Sequence, residues 1–153
     1  MTKLATPRTL KALLASSILY IIVALIAAMI AISQNIPAQP MGENSGTGRP
    51  VLEEFLMGNG TGMSAGLPWL AAQAVLTLLA RCMGRWGAVG VAGLAIWGLL
   101  SGIFATTEPI FRRTFNPATF DPLKAVVEAA GIALAAGMVI FAVMEWLRRR
   151  RPG

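Results

Sequence analysis

Residues 13–32 read LLASSILYIIVALIAAMIAI, from Leu13 to Ile32, twenty consecutive positions without a charge. The hydrocarbon core of a bilayer is about 30 Å thick and takes roughly 20 apolar residues as an α-helix. This run has that length. Lys3, Arg8 and Lys11 precede it, and a stretch rich in Pro and Gly follows it. A cleaved secretory leader would share the basic flank, but its apolar core spans only about 7–15 residues. The run therefore reads as a membrane anchor.

Three further runs repeat the pattern. Met63–Ala80 gives eighteen residues, MSAGLPWLAAQAVLTLLA, with Pro68 in the first turn, where its missing N–H is tolerated. Trp86–Ala105 gives twenty, WGAVGVAGLAIWGLLSGIFA. Ala125–Leu147 carries Glu128 and Glu145 near its two ends and a charge-free centre of sixteen residues, Ala129–Met144. The expected fold is an all-α integral membrane protein, a four-helix transmembrane bundle forming a single membrane domain over 1–153. Its helices cover about 11–33, 64–81, 86–106 and 124–147, with external loops 34–62 and 107–123.

Composition agrees. Of 153 residues, 56% are apolar and 13% charged, against about 45–50% and about 25% in soluble domains. There is no histidine and one cysteine, Cys82. Imidazole bases and ligands are thus missing, as are internal disulfides and thiolate metal clusters. No cofactor and no metal site is expected. The net charge of +6 is not a nucleic-acid footprint, because the basic residues flank apolar runs.

Those flanks set the orientation. Lys3, Arg8, Lys11, Arg81, Arg85 and Arg148–Arg151 place nine basic residues on one side. Arg49, Arg112, Arg113 and Lys124 fall on the other, offset by Glu43, Glu53, Glu54, Glu108 and Asp121. Positive charge accumulates on the cytoplasmic side, so a multi-pass protein of the cell membrane with both termini cytoplasmic is expected. Arg148–Arg151 after Trp146 reads as a stop-transfer anchor that also attracts anionic headgroups.

In the first loop, Val51–Met57 reads as two turns of amphipathic helix. Val51, Leu52, Phe55 and Leu56 form its apolar face, with Glu53 and Glu54 off it. A lid on the membrane surface is the functional reading. Asn59-Gly60-Thr61 matches a glycosylation triplet. In the second loop, Glu108-Pro109, Asn116-Pro117 and Asp121-Pro122 bias their first residues away from helix. Asp121 suits the N-cap of the last helix.

Candidate site residues are the polar groups at membrane depth. Tyr20, Gln73 and Trp97 sit near the middle of the first three helices, with Thr77 one turn from Gln73. They point to a small-molecule site with a Tyr–Gln hydrogen bond at its floor, or to interhelical hydrogen bonds that only hold the bundle. Glu128 faces Ser101, Thr106 or Arg112 if it points inward, as a proton acceptor or a cation-binding carboxylate. Glu145, beside Arg148 and Arg149, reads as an interfacial ion pair. Gly84, Gly87, Gly90 and Gly93, with Gly98 and Gly102, allow close approach of the third helix to the fourth.

Three functions compete. The first is a non-catalytic accessory subunit or binder of an apolar small molecule in an outward-facing pocket lined by Tyr20, Gln73, Trp97 and Ser101. The second is an enzyme acting on a lipid-like or isoprenoid-like substrate through Glu108, Asp121 and Glu128, one carboxyl kept protonated by desolvation and another ionised. The third is a proton-coupled carrier working through Glu128. Expected partners are the lipid bilayer, an apolar ligand, and a second copy or a larger membrane complex. Reporter domains fused after Gly62 and after Gly153 should respond from opposite sides of the membrane. Two reporters active on one side would contradict the orientation.

Overall fold

A computed structural model describes residues 7–39, 48–58 and 60–150. Lys3, Glu43, Asn59 and Arg151, used above for charge balance and the glycosylation triplet, lie outside the described residues. The chain is mostly helical. Its elements are α1 (Arg8–Ser33), α2 (Val51–Met57), β1 (Gly60–Thr61), β2 (Ser64–Ala65), α3 (Leu67–Ala80), α4 (Gly84–Thr107), α5 (Pro109–Thr114) and α6 (Pro122–Arg150).

Three helices, α1, α4 and α6, are long and apolar enough to cross a bilayer. Good helix formers and the absence of internal proline let α1 run for 26 residues. It stops at Asn35, which takes the left-handed conformation with φ 52°, while the Ile36 N–H reaches back to the Ala31 carbonyl at 2.8 Å. Only 22–33% of the most apolar window of each long helix is buried inside the protein. Ile18, Ile22, Met29, Ile96, Leu99 and Ile140 are among the large side chains left outside. A water-soluble bundle would turn such residues inward.

The run expected as a helix over 64–81 differs. Its helix, α3, has 14 residues, about 21 Å at 1.5 Å per residue. Residues at the start of the run instead close an antiparallel hairpin, Gly60 opposite Ala65 and Thr61 opposite Ser64. Gly60 permits that pairing at φ 108°, since a Cβ there would meet the Ser64 carbonyl and the Gly66 amide. Pro37 bridges to Thr61, so the segment after α1 also joins the hairpin.

The described part of the first loop therefore contains structure that fills space beside the short helix. Phe55 of α2 packs with Ala24 and Ala28 of α1 and Leu70 of α3. The amphipathic helix has the expected bounds, but its buried face is Val51, Glu54 and Phe55. Leu52 and Leu56 are exposed. Spacing at i, i+3 and i+4 decides which residues point inward, and it takes Glu54 with them.

α1, α3, α4 and α6 form a ring in which α1 touches α3 and α6, and α4 touches α3 and α6. Neighbours are antiparallel. Leu13, Ala80, Leu94 and Met138 represent the four helices in one buried cluster. The glycine series of α4 serves two partners. A Cβ on Gly90 would strike the Ala80 backbone of α3, and one on Gly93 the Leu76 side chain. Gly98 instead faces α6, where a Cβ would lie 2.6 Å from the Ala135 carbonyl. Gly90 and Gly93 of the repeat thus fit α3, and of the pair Gly98 and Gly102 only Gly98 meets α6.

Gly98→Ala should cost about 1–3 kcal/mol of stability through overpacking. Gly102→Ala, whose Cβ would meet nothing within 4 Å, should cost none. Thermal unfolding of both variants in detergent checks this, and equal melting temperatures would contradict the packing.

Candidate functional site

Three polar places stand out in the ring, and they lie at different heights. At one end Glu145 is fully buried. Arg148 donates to it through Nε at 2.8 Å and Nη2 at 2.6 Å, and Arg149 through Nε at 2.8 Å. Thr9 of α1 adds a hydroxyl at 2.6 Å. Arg149 Nη2 continues to the Ala80 carbonyl at 3.0 Å, one of the carbonyls that a helix end leaves unpaired. Glu145 makes the expected ion pair, yet the pair is interior and joins the start of α1 to the ends of α3 and α6. Thr9 gave no signal in the sequence, since a hydroxyl ahead of an apolar run is unremarkable.

Halfway along the ring, Gln73 and Ser17 are fully buried and Thr77 nearly so. Gln73 Nε2 donates to Ser17 Oγ at 3.0 Å and lies 3.5 Å from Met138 Sδ. The Ser17 and Thr77 hydroxyls are 2.7 Å apart. The Tyr–Gln bond expected at the floor of a ligand site is not formed, because Gln73 turns to Ser17 on the neighbouring face of α1. Trp97 packs on Trp69, with ring centroids 5.9 Å apart. The arrangement is an interhelical hydrogen-bond network. Ser17 was missed because Ser16 and Ser17 are equivalent in the sequence until packing chooses between them.

At the opposite end Tyr20 of α1, Ser101 of α4, Glu128 of α6 and Met63 at the hairpin tip line a cavity of about 30 Å³. Tyr20 has the Ser101 hydroxyl as its side-chain neighbour and Glu128 within electrostatic reach. Glu128 is 6% exposed, and its Oε1 has no hydrogen-bond partner among the described residues. Gln73 Oε1, Trp97 Nε1 and Thr114 Oγ1 share that condition. Thr106 is not drawn to Glu128; it bonds back to carbonyls of its own helix, at 3.1 Å to Gly102 and 2.9 Å to Ile103.

The three candidate carboxylates separate into a pair and an outlier. Glu108 acts electrostatically on Glu128. It accepts the Gln39 backbone N–H at 3.2 Å. Burial pushes the Glu108 carboxyl above its ordinary range, and the Gln39 amide pulls it partly back. Asp121 caps α6, accepting the Leu123 and Lys124 amides at 3.1 and 3.2 Å. The Lys124 amide, followed by its ammonium at 3.2 Å, holds the Asp121 carboxyl below the usual range. Its oxygens serve the helix start.

A groove of about 660 Å³ lies between α1 and α3. Leu14, Ile18 and Ile21 form one wall, Ala74 and Leu78 the other, and Lys11 and Arg81 stand at one end. Neither base takes part in an ion pair among the described residues. Among the described residues no group of three or more acidic or cysteine side chains is placed to hold a metal ion. No protein-family model, curated protein or solved structure matches the chain.

Glu145→Ala should cost about 3 kcal/mol, the lower end for breaking a buried pair, because Arg148 and Arg149 both reach water. Thr9→Val should cost about half that, as one hydrogen bond to a charged group. Unfolding in mild detergent measures both. A Glu145→Ala variant as stable as wild type would contradict the role of the clamp.

Proposed function

We propose that the chain is a four-helix transmembrane protein of the cell membrane with both termini cytoplasmic. In this reading it is a non-catalytic binder that seats an anionic lipid in the α1–α3 groove. The groove carries the reading. Its volume lies within the range of about 300–1,000 Å³ common for small-molecule sites. Its walls are apolar, and its two bases at one end suit a phosphate headgroup.

The expected outward-facing pocket does not suit an apolar ligand. At about 30 Å³ it is the size of one water. The ligand site therefore moves to the side of the bundle and to the end where Lys11 and Arg81 stand. That end also holds Thr9, Glu145 and the start of α4, so the N-terminal end of α1 and the C-terminal end of α6 lie together. With Arg8, Arg85 and Arg148–Arg150 it concentrates positive charge, which supports a cytoplasmic assignment.

The fourth crossing rests on α3, which is shorter than the bilayer is thick. In this reading α2 and the hairpin, which pack against α1 and α3, occupy the rest of the depth. Irregular backbone at membrane depth is tolerated when protein covers it.

Each base near the surface should add about 1 kcal/mol to the binding of an anionic lipid. Lys11→Gln/Arg81→Gln should therefore bind phosphatidylglycerol about 30-fold more weakly, with phosphatidylcholine unchanged. Lipid exchange into nanodiscs of each composition, read by native mass spectrometry, makes the comparison. Equal retention of the two lipids by wild type would contradict the proposal.

A further inference from the structure

The cavity around Glu128 is too small for the lipid and shares only α1 with the groove. A carboxylate buried in apolar surroundings needs a compensating charge or hydrogen bonds, since transfer of an unpaired ion into such a medium is costly. Glu128 is 6% exposed, and its Oε1 points into the protein without a partner among the described residues. No lysine or arginine lines the cavity. The titratable groups that face Glu128 are Tyr20 on α1 and Glu108 at the end of α4. The first is neutral and the second is another acid. Arg112 and Arg113 of α5 do not line the cavity.

Positive charge must then come from outside the fold, and cavity size restricts what can bring it. A space of about 30 Å³ admits one water and little more. A hard metal cation wants about six oxygens, whereas this cavity offers one carboxylate and the hydroxyls of Tyr20 and Ser101. A proton needs only one oxygen and an acceptor for the resulting O–H. We propose that the Glu128 cavity is a proton-binding site, with Tyr20 and Ser101 as the hydrogen-bond partners of the acid. Hydronium at this end of the bundle gives up one proton, an O–H bond forms on the carboxylate, and water is left behind. Glu108, which accepts the Gln39 amide and lies within electrostatic reach of Glu128, is in this proposal the group that passes the proton inward.

Protonation removes a buried charge, so the folded chain gains stability as pH falls. The test uses the full chain in detergent at constant ionic strength, melted from pH 5 to pH 8 in choline chloride. Relative to Glu128→Gln, wild type should lose about 4 °C of melting temperature as pH rises across that range. The infrared spectrum of wild type should contain a protonated-carboxyl band that is absent from Glu128→Gln. If the amide variant does not fold, Ser101→Ala replaces it and should move the midpoint of the wild-type titration. Parallel melting curves for wild type and Glu128→Gln, an unmoved Ser101→Ala midpoint, or stabilisation by sodium at fixed pH would each overturn the proposal.

Discussion

The Glu145 carboxylate has no exposed surface, and the ring of helices is organised around it. A buried carboxylate must find its partners in the protein, because an unpaired buried charge is costly. Glu145 finds three donor residues: Arg148 and Arg149, three and four positions on and so one helical turn away, and Thr9 from the opposite end of the chain. Arg149 then reaches Ala80, and Gly87 of α4 leaves room for its guanidinium. Four helix ends are thereby brought to one level. With that level set, antiparallel neighbours follow, and so does the opposite end, where Tyr20, Ser101 and Glu128 meet.

Close packing does the rest. Gly90 and Gly93 let α4 lie against the short α3, and Gly98 admits the Ala135 carbonyl of α6. In lipid such approach stands in for the hydrophobic drive that water would supply. Because α3 is short, α2 and the hairpin pack beside α1, and Met63 at the hairpin tip reaches the Glu128 cavity. The first loop thus contributes a hairpin residue to the cavity wall, while α2 packs against α1 and α3.

Much of this was legible in the sequence because run length and charge are local properties. The long helices α1, α4 and α6 begin and end within a few residues of their charge-flanked runs, and Asp121 caps the last of them as its position before Pro122 suggested. The bounds of α2 follow from a proline before it and glycine after it. Other features depend on which faces meet. An eighteen-residue apolar run does not say that its first residues will pair as strands, since short apolar stretches suit either form. Gln73 was visible as a polar group at depth, but its choice of Ser17 over Tyr20 is a matter of helix rotation. The groove was invisible, because Lys11 and Arg81 are distant in sequence and become neighbours only when α3 packs against α1.

The proposed fourth crossing is the point on which orientation, ligand side and proton side all turn. Cys82, the sole cysteine, is exposed in the turn between α3 and α4. A membrane-impermeant maleimide applied to intact cells should leave Cys82 unmodified until the membrane is opened. A Cys82→Ser/Ala118→Cys variant, with its thiol between α5 and α6, should be labelled from outside at once. Labelling of Cys82 from outside, with the Ala118→Cys thiol protected, would mean that α3 fails to cross, and the four-helix arrangement would be wrong.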